Sequence, residues 1–188
     1  MFQNDPLKVL TGKVRLSYVH LIRPYSPVPG AEPKYSVTLL IPKEDEAMKS
    51  QIDLSMEAAV RHGILHAWNG QRPETIRLPL YDGDGERPSG GPFREECRGH
   101  WVLTASCKQK PEVLSLTGSP IEDEAEIYSG MYARVTFRFF AYSSGIHKGI
   151  GAGLGNILKL SDGEPLSARR SASMDFAGIL KQASGRCG

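Results

Sequence analysis

The sequence predicts a mainly β protein, a barrel or sandwich with one inserted α-helix and long loops. Three observations carry that expectation. Residues 131–142 alternate with the period of two that marks a strand. Two more alternating runs, Gly12–Ile22 and Lys34–Ile41, flank a proline-rich connection. One stretch alone, opening at Glu44, carries the punctuation of a helix.

Composition narrows the class. A chain of 188 residues suits one domain with a real core, and 40% apolar with 23% charged residues is ordinary for a globular protein. The net charge is only +2, so a nucleic-acid surface requires local segregation of cations rather than bulk basicity. The three cysteines, Cys97, Cys107 and Cys187, form an odd set without CxxC spacing, which fits a reducing compartment. No apolar run follows the start and no segment approaches about eighteen apolar residues, so a soluble, cytoplasmic protein is expected. The expected organisation is one domain over residues 1–176 and a flexible tail over 177–188.

In chain order, residues 1–10 read as a loose lead-in. Gly12–Ile22 is a strand with Val14, Leu16, Tyr18, His20 and Ile22 on one side. Pro24–Pro33, with four prolines and a glycine, is a loop, and Lys34–Ile41 returns to make a long hairpin. Pro42 stops that strand, and Glu44, Asp45 and Glu46 supply an acidic first helical turn. The helix is expected to run to about Arg61, weaken at His62-Gly63, and finish in a shorter turn at Asn69-Gly70. Thr75–Leu80 reads as a short strand. Asp82–Gly99 is an aperiodic Gly/Pro/charge-rich loop, long enough to suggest function or disorder. His100–Lys108 is a third major strand, with Val113–Leu116 a short extended piece. After residue 142, alternation continues through HKGIGAGLGNILKL to a turn at Ser161-Asp162-Gly163.

Several motifs suggest chemistry and fall short of it. Cys97 and His100 are three apart, and His62 and His66 four apart, but neither pair has the further ligands of a metal site. DGDGE lacks the later oxygen ligands of a calcium loop. The carboxylates of IEDEAE (residues 121–126) read as a solvated turn. Gly149, Gly151, Gly153 and Gly155 alternate inside a strand instead of lying between a strand and a helix, which disfavours a nucleotide-binding enzyme. Glycines on one strand face mark close approach by a backbone or a ligand. No cofactor, metal or catalytic set is expected, and the chain reads as a non-enzyme.

The strongest functional signal is the second face of residues 131–142. One set, Met131, Ala133, Val135, Phe137, Phe139 and Ala141, is fit for a core. The other, Tyr132, Arg134, Thr136, Arg138, Phe140 and Tyr142, interleaves cations with rings. Either this face meets single-stranded nucleic acid, with rings under bases and guanidiniums on phosphates, or a neighbouring loop covers its rings.

Four to five strands with a helix inserted after the early hairpin outline an OB-type barrel or sandwich, a fold whose sheet face and loops bind oligonucleotides. The strings KYSVTLLIP, PLYDGD, GHWVLTASCKQKP, IYSGMYARV, FFAY, HKGIGAGLGNILKL and GEPL resemble the single-stranded-DNA-binding proteins of tailed phages and prophages, once catalogued as a domain of unknown function. The resemblance spans about Gly12 to Phe176. It implies an OB-fold with insertions and a role coating single strands in replication or recombination. Replication proteins of this kind often end in an acidic tail that recruits partners. This chain has no carboxylate after Asp175 and carries Lys181 and Arg186, which puts tail-mediated recruitment in doubt.

The expected mechanism is sequence-tolerant binding of single-stranded DNA by stacking and phosphate contacts. Tyr132, Arg134, Arg138, Phe140 and Tyr142 are the first candidates, and Thr104, Lys108 and Lys110 the second. Lys34, Tyr35 and Arg77 follow, with Lys148 and Asn156 flanking the glycines. Tyr18 and Trp101 sit on apolar faces and are expected in the core. Partners beyond DNA would be phage or host replication and recombination proteins, with no membrane and with the oligomeric state open. The alternative reading is a phage adaptor domain whose aromatic face docks on protein.

Overall fold

The computed structural model describes residues 4–166. Eight strands and one helix follow in the order β1 (Lys8–Leu10), β2 (Val14–Tyr25), β3 (Lys34–Pro42), α1 (Glu46–His66), β4 (Leu80–Asp82), β5 (His100–Cys107), β6 (Val113–Leu114), β7 (Tyr132–Ser144) and β8 (His147–Ser161). All strands join one sheet in the order β1-β7-β2-β3-β5-β8-β6, with β4 on β5 and a further pairing of β7 with β8. The pairings β7–β2, β2–β3, β3–β5, β5–β8 and β8–β7 therefore return to their starting strand. β5 and β8 run parallel and the other four pairs antiparallel.

The alternation of the sequence sets the inside. Ala133, Val135, Phe137 and Phe139 of β7 point into one core with Val37, Leu39 and Ile41 of β3 and Leu103 and Ala105 of β5. The helix contributes Met48, Ile52, Met56, Ala59 and Val60 to the same cluster. Asp45 caps α1, its carboxylate accepting from the Met48 N–H at 3.1 Å, as an N-terminal donor requires. β7 and β8 meet through the two-residue turn Gly145–Ile146, and Gly145 has φ +57°, where only glycine is unstrained.

Four sequence expectations are revised. The lead-in contains β1, paired with Thr136–Arg138 of β7. The helix does not weaken at His62-Gly63. Gly63 is buried, and a Cβ there would lie 2.6 Å from Ala141 Cβ and 3.0 Å from the Trp68 ring, so it marks close packing instead of a break. The expected strand at 75–80 is an isolated bridge from Arg77 to Gly149 followed by β4.

The fourth revision matters for function. β2 shifts register between Ser17 and His20, where Tyr18 and Val19 face Val37 alone on β3, and Tyr18 takes φ +46°. A bulge of this kind reverses which side chains face inward. Val14 and Leu16 are buried above it and Leu21 below it, while Tyr18 is 49% exposed, not core. Trp101 is partly buried against the core, with Lys43 and Lys49 over its ring.

Candidate nucleic-acid interface

The outer side of the sheet is uneven. Leu40 on β3 and Val102 on β5 stand opposite each other and are covered by Cys97, with Phe93 and Leu166 packed alongside. That cover comes from residues 83–99, which are firmly built. Lys43 bridges Asp82 and Asp84 at 2.5 and 2.6 Å, Asp84 accepts from the Gly99 N–H, and Gly83 N–H donates to His100 carbonyl oxygen at 2.9 Å.

Beyond this cover the side chains become small. Thr38 faces Thr104 and their hydroxyls lie 2.9 Å apart, and Ser36 faces Ser106. These four floor a cleft of about 360 Å³ whose walls include Tyr18, His20, Tyr25, Pro27, Glu32 and Lys34. Tyr25 is 50% exposed and stacks on His20, centroids 4.4 Å apart and planes 9° from parallel. Burial holds the His20 imidazole below its ordinary pKa, so at neutral pH it is an uncharged ring. Arg94, from the covering segment, places its guanidinium carbon 5.2 Å from the centre of the Tyr18 ring.

The floor does not end at β5. Successive register partners form one row across the sheet: His20, Ser36, Ser106, Gly153 and Arg138. Its far end carries the aromatic and cationic face of β7. There the glycines receive rings of this chain. A Cβ at Gly151 would lie 2.5 Å from the Phe140 ring, and one at Gly149 2.7 Å from the Tyr142 hydroxyl. Glycine lets both rings lie flat on the strand, yet Phe140 remains 44% exposed.

The candidate residues divide between these two regions. Lys34 and Thr104 line the cleft, and Lys108 stands at its rim, 3.1 Å from the Glu32 carboxylate. Lys110 is exposed after β5, while Tyr35, opposite Cys107, alternates with the floor residues and is half-buried. On the β7–β8 side, Arg138 pairs with Asp5 at 2.9 Å and holds that carboxyl below its usual pKa. Arg134 donates to the Thr11 carbonyl at 2.8 Å, and Lys13 and Arg15 lie over the Tyr132 ring. Phe140 and Tyr142 are neighbours at 6.5 Å. Arg77 lies along β8, its guanidinium 3.4 Å from His147 Nε2 and its backbone bonded to Lys148 and Ile150. Lys148 is half-buried, and the Asn156 side-chain oxygen accepts from Glu112 N–H. Sequence reasoning missed Tyr18, His20, Tyr25, Ser36, Thr38 and Arg94. The rings at 18, 20 and 25 were visible beside Arg23 and Lys34, but the bulge that turns Tyr18 outward was not.

Features suggesting other chemistry stay apart from this surface or lack partners. Among the described residues, no three His, Cys, Asp or Glu side chains are grouped to hold a metal ion. Burial pushes the Cys97 and Cys107 thiols above their usual pKa, away from the reactive thiolate. A larger cleft, about 680 Å³, lies between α1 and residues 72–78, with Glu57 and Glu74 beside Arg61 and Arg72, a mixed charge ill-suited to a polyanion. No helix among the described residues is long and apolar enough to cross a membrane. The expected boundary at 176 and the tail with Lys181 and Arg186 lie outside the described residues.

These features define a β protein with an open, ring-walled cleft floored by hydroxyls, with a glycine strand beside it. The sequence matches the family described as "Enterobacter phage Enc34, ssDNA-binding protein" over residues 7–185, and the chain belongs to that family. The single-stranded DNA-binding protein of bacteriophage Enc34 in complex with ssDNA is 32% identical, with a TM-score of 0.74 over 86% of this chain and 90% of that one. A second structure of the same phage protein is 31% identical, with a TM-score of 0.72 over 91% of this chain and 90% of that one. The fold is shared also with gp2.5, a single-stranded DNA binding protein encoded by bacteriophage T7, at 16% identity and a TM-score of 0.61, over 91% and 93%. No curated protein matches this chain.

Proposed function

We propose that this chain binds single-stranded DNA along the cleft over β2, β3 and β5, without sequence preference and without chemistry on the strand. The low floor carries this reading. Small hydroxyl and glycine residues leave room for a chain of nucleotides, while Tyr18, Tyr25 and His20 at one end and Phe140 and Tyr142 at the other offer rings to bases. Lys34 and Lys108 are placed to meet phosphates on the cleft side, and Arg138, Arg134 and Lys148 to extend the path. Family membership and the ssDNA complex of the Enc34 protein support the same reading.

The circuit of pairings fits an OB-type barrel in which β2, β3, β5, β7 and β8 take the places of strands one to five. The cleft then lies on the face of strands two and three, beside the connection at residues 26–33, where that fold holds oligonucleotides. The role that follows is coating and protecting single strands during phage replication or recombination in the bacterial cytoplasm. Replication or recombination proteins would be its further partners.

Titration of a labelled oligo-dT of about thirty nucleotides, several OB-type site lengths, tests the reading. Two to five of these cations on phosphates give a log–log salt slope of roughly −1.4 to −3.5. Salt-sensitive binding that duplex DNA fails to displace is expected. Absence of binding at low salt refutes it.

A further inference from the structure

We infer that Arg94 and Tyr18 are two jaws that close on one nucleobase. The inference rests on the cleft being the single-strand path, and adds a specific stacking site supplied by the segment between β4 and β5. Tyr18 is a bulky residue at φ +46°, a conformation that sterically disfavours every side chain. The bulge therefore holds an aromatic ring outside the core at a conformational cost, and that ring stands over the cleft.

Arg94 is equally fixed. It begins the 3₁₀ turn Glu95–Cys97, its carbonyl accepting from Cys97 N–H at 3.0 Å, and Cys97 is anchored in the outer apolar cluster. Among the described residues no carboxylate forms an ion pair with Arg94, although Glu95 and Glu96 follow it directly. Its contact is the Tyr18 ring, at 5.2 Å. Guanidinium planes and aromatic rings are both stacking surfaces for unpaired bases. A base between two such planes needs about 7 Å, twice the 3.4 Å rise per nucleotide of one strand. The guanidinium would have to lift by only about 2 Å on that measure, within reach of a flexible arginine side chain with its backbone unmoved.

Binding of oligo-dT to wild type, Arg94→Ala, Arg94→Lys and Tyr18→Ala proteins, followed by anisotropy, tests the clamp. Arg94→Ala is expected to weaken binding about fivefold or more, the low end for one stacked base. Arg94→Lys keeps the charge but loses the plane, so it should fall with Arg94→Ala and keep the wild-type salt slope. The double variant should be little worse than the weaker single one, because either jaw alone leaves no sandwich. An abasic oligonucleotide should bind wild type and Arg94→Ala alike. Equal or tighter dT binding by Arg94→Ala overturns the clamp. Full recovery in Arg94→Lys, with a shallower slope in Arg94→Ala, also overturns it and makes Arg94 a phosphate contact. Failure of wild type to bind dT at all refutes instead the single-strand reading on which the clamp stands.

Discussion

Replacing Tyr18 should separate stability from binding. A non-glycine residue in the left-handed region costs about 1–2 kcal/mol, and asparagine tolerates that region better than most. The Tyr18 side chain is half exposed, so its loss leaves no cavity, and its contact with Arg94 is worth about 0.5–1 kcal/mol at an exposed site. Tyr18→Asn should therefore be as stable as wild type or more so, by up to about 1 kcal/mol. Tyr18→Ala loses the same ring without easing the backbone and should be less stable than Tyr18→Asn by about 1 kcal/mol. That difference is roughly 2–4 °C in Tm for a chain of this size. Both variants should bind oligo-dT about 5- to 150-fold more weakly, the 1–3 kcal/mol of one base stack. Thermal denaturation and anisotropy titration read the two effects. A loss of several kcal/mol in both variants would place the ring in the core and refute the bulge argument. Unchanged affinity would remove Tyr18 from the interface.

Glu32→Gln removes the carboxylate that neutralises Lys108 at the rim. Oligo-dT binding should tighten two- to threefold at low ionic strength, with the gain gone near 1 M salt, where the Debye length is about 3 Å; weaker binding would contradict this. Gly130 has φ +117°, and a Cβ there would sit 2.1 Å from the Glu164 carbonyl oxygen. Gly130→Ala should lose about 1–3 kcal/mol in chemical denaturation, and an unchanged midpoint would show that residues 163–166 are free to yield. The base of the 83–99 segment should loosen in acid. Hydrogen bonds to Lys43 chiefly hold Asp82 and Asp84 below their usual pKa, and the same bonds raise Lys43. A carboxylate with a lowered folded pKa contributes its stabilisation above its unfolded value and loses it as pH falls through the folded one. Pepsin cleavage within 83–99, scaled to an unfolded control peptide at each pH, should rise between about pH 5 and pH 2, and Lys43→Met should expose the bonds after Arg94 and Arg98 to trypsin at neutral pH. Cleavage indifferent to both changes would show that the apolar cover alone holds the segment.

The fold was legible where one period governed a long run. Residues 131–142 alternate without interruption, and the hairpin of β2 and β3 was fixed by its turn residues and the stop at Pro42. Bulges defeat such reading, because an extra residue leaves no compositional mark. The one in β2 turned Tyr18, His20 and Leu21 against expectation, and the shift between Val135 and Phe137 moves β8 from Leu154 to Ile157 as its next inward residue. Gly63 misled for a different reason: a glycine admitted for close packing and one that breaks a helix look alike in sequence. The cationic and aromatic face of β7 was found because one strand carries it. The cleft was not, since its floor is two hydroxyl pairs brought together across 66 and 70 residues, and serine and threonine announce no function singly.

The claim that the strand crosses the Ser36–Ser106 floor is tested most directly at Ser106, which stands between Ser36 and Gly153 in the middle of the row. Ser106→Glu puts a carboxylate there, where phosphates would have to pass. Its oligo-dT affinity, measured beside wild type and Phe140→Ala at equal salt, should fall at least tenfold, about 1.4 kcal/mol, with Tm unchanged. Wild-type affinity in Ser106→Glu, together with lost affinity in Phe140→Ala, would contradict the account and move the path to the β7–β8 face alone.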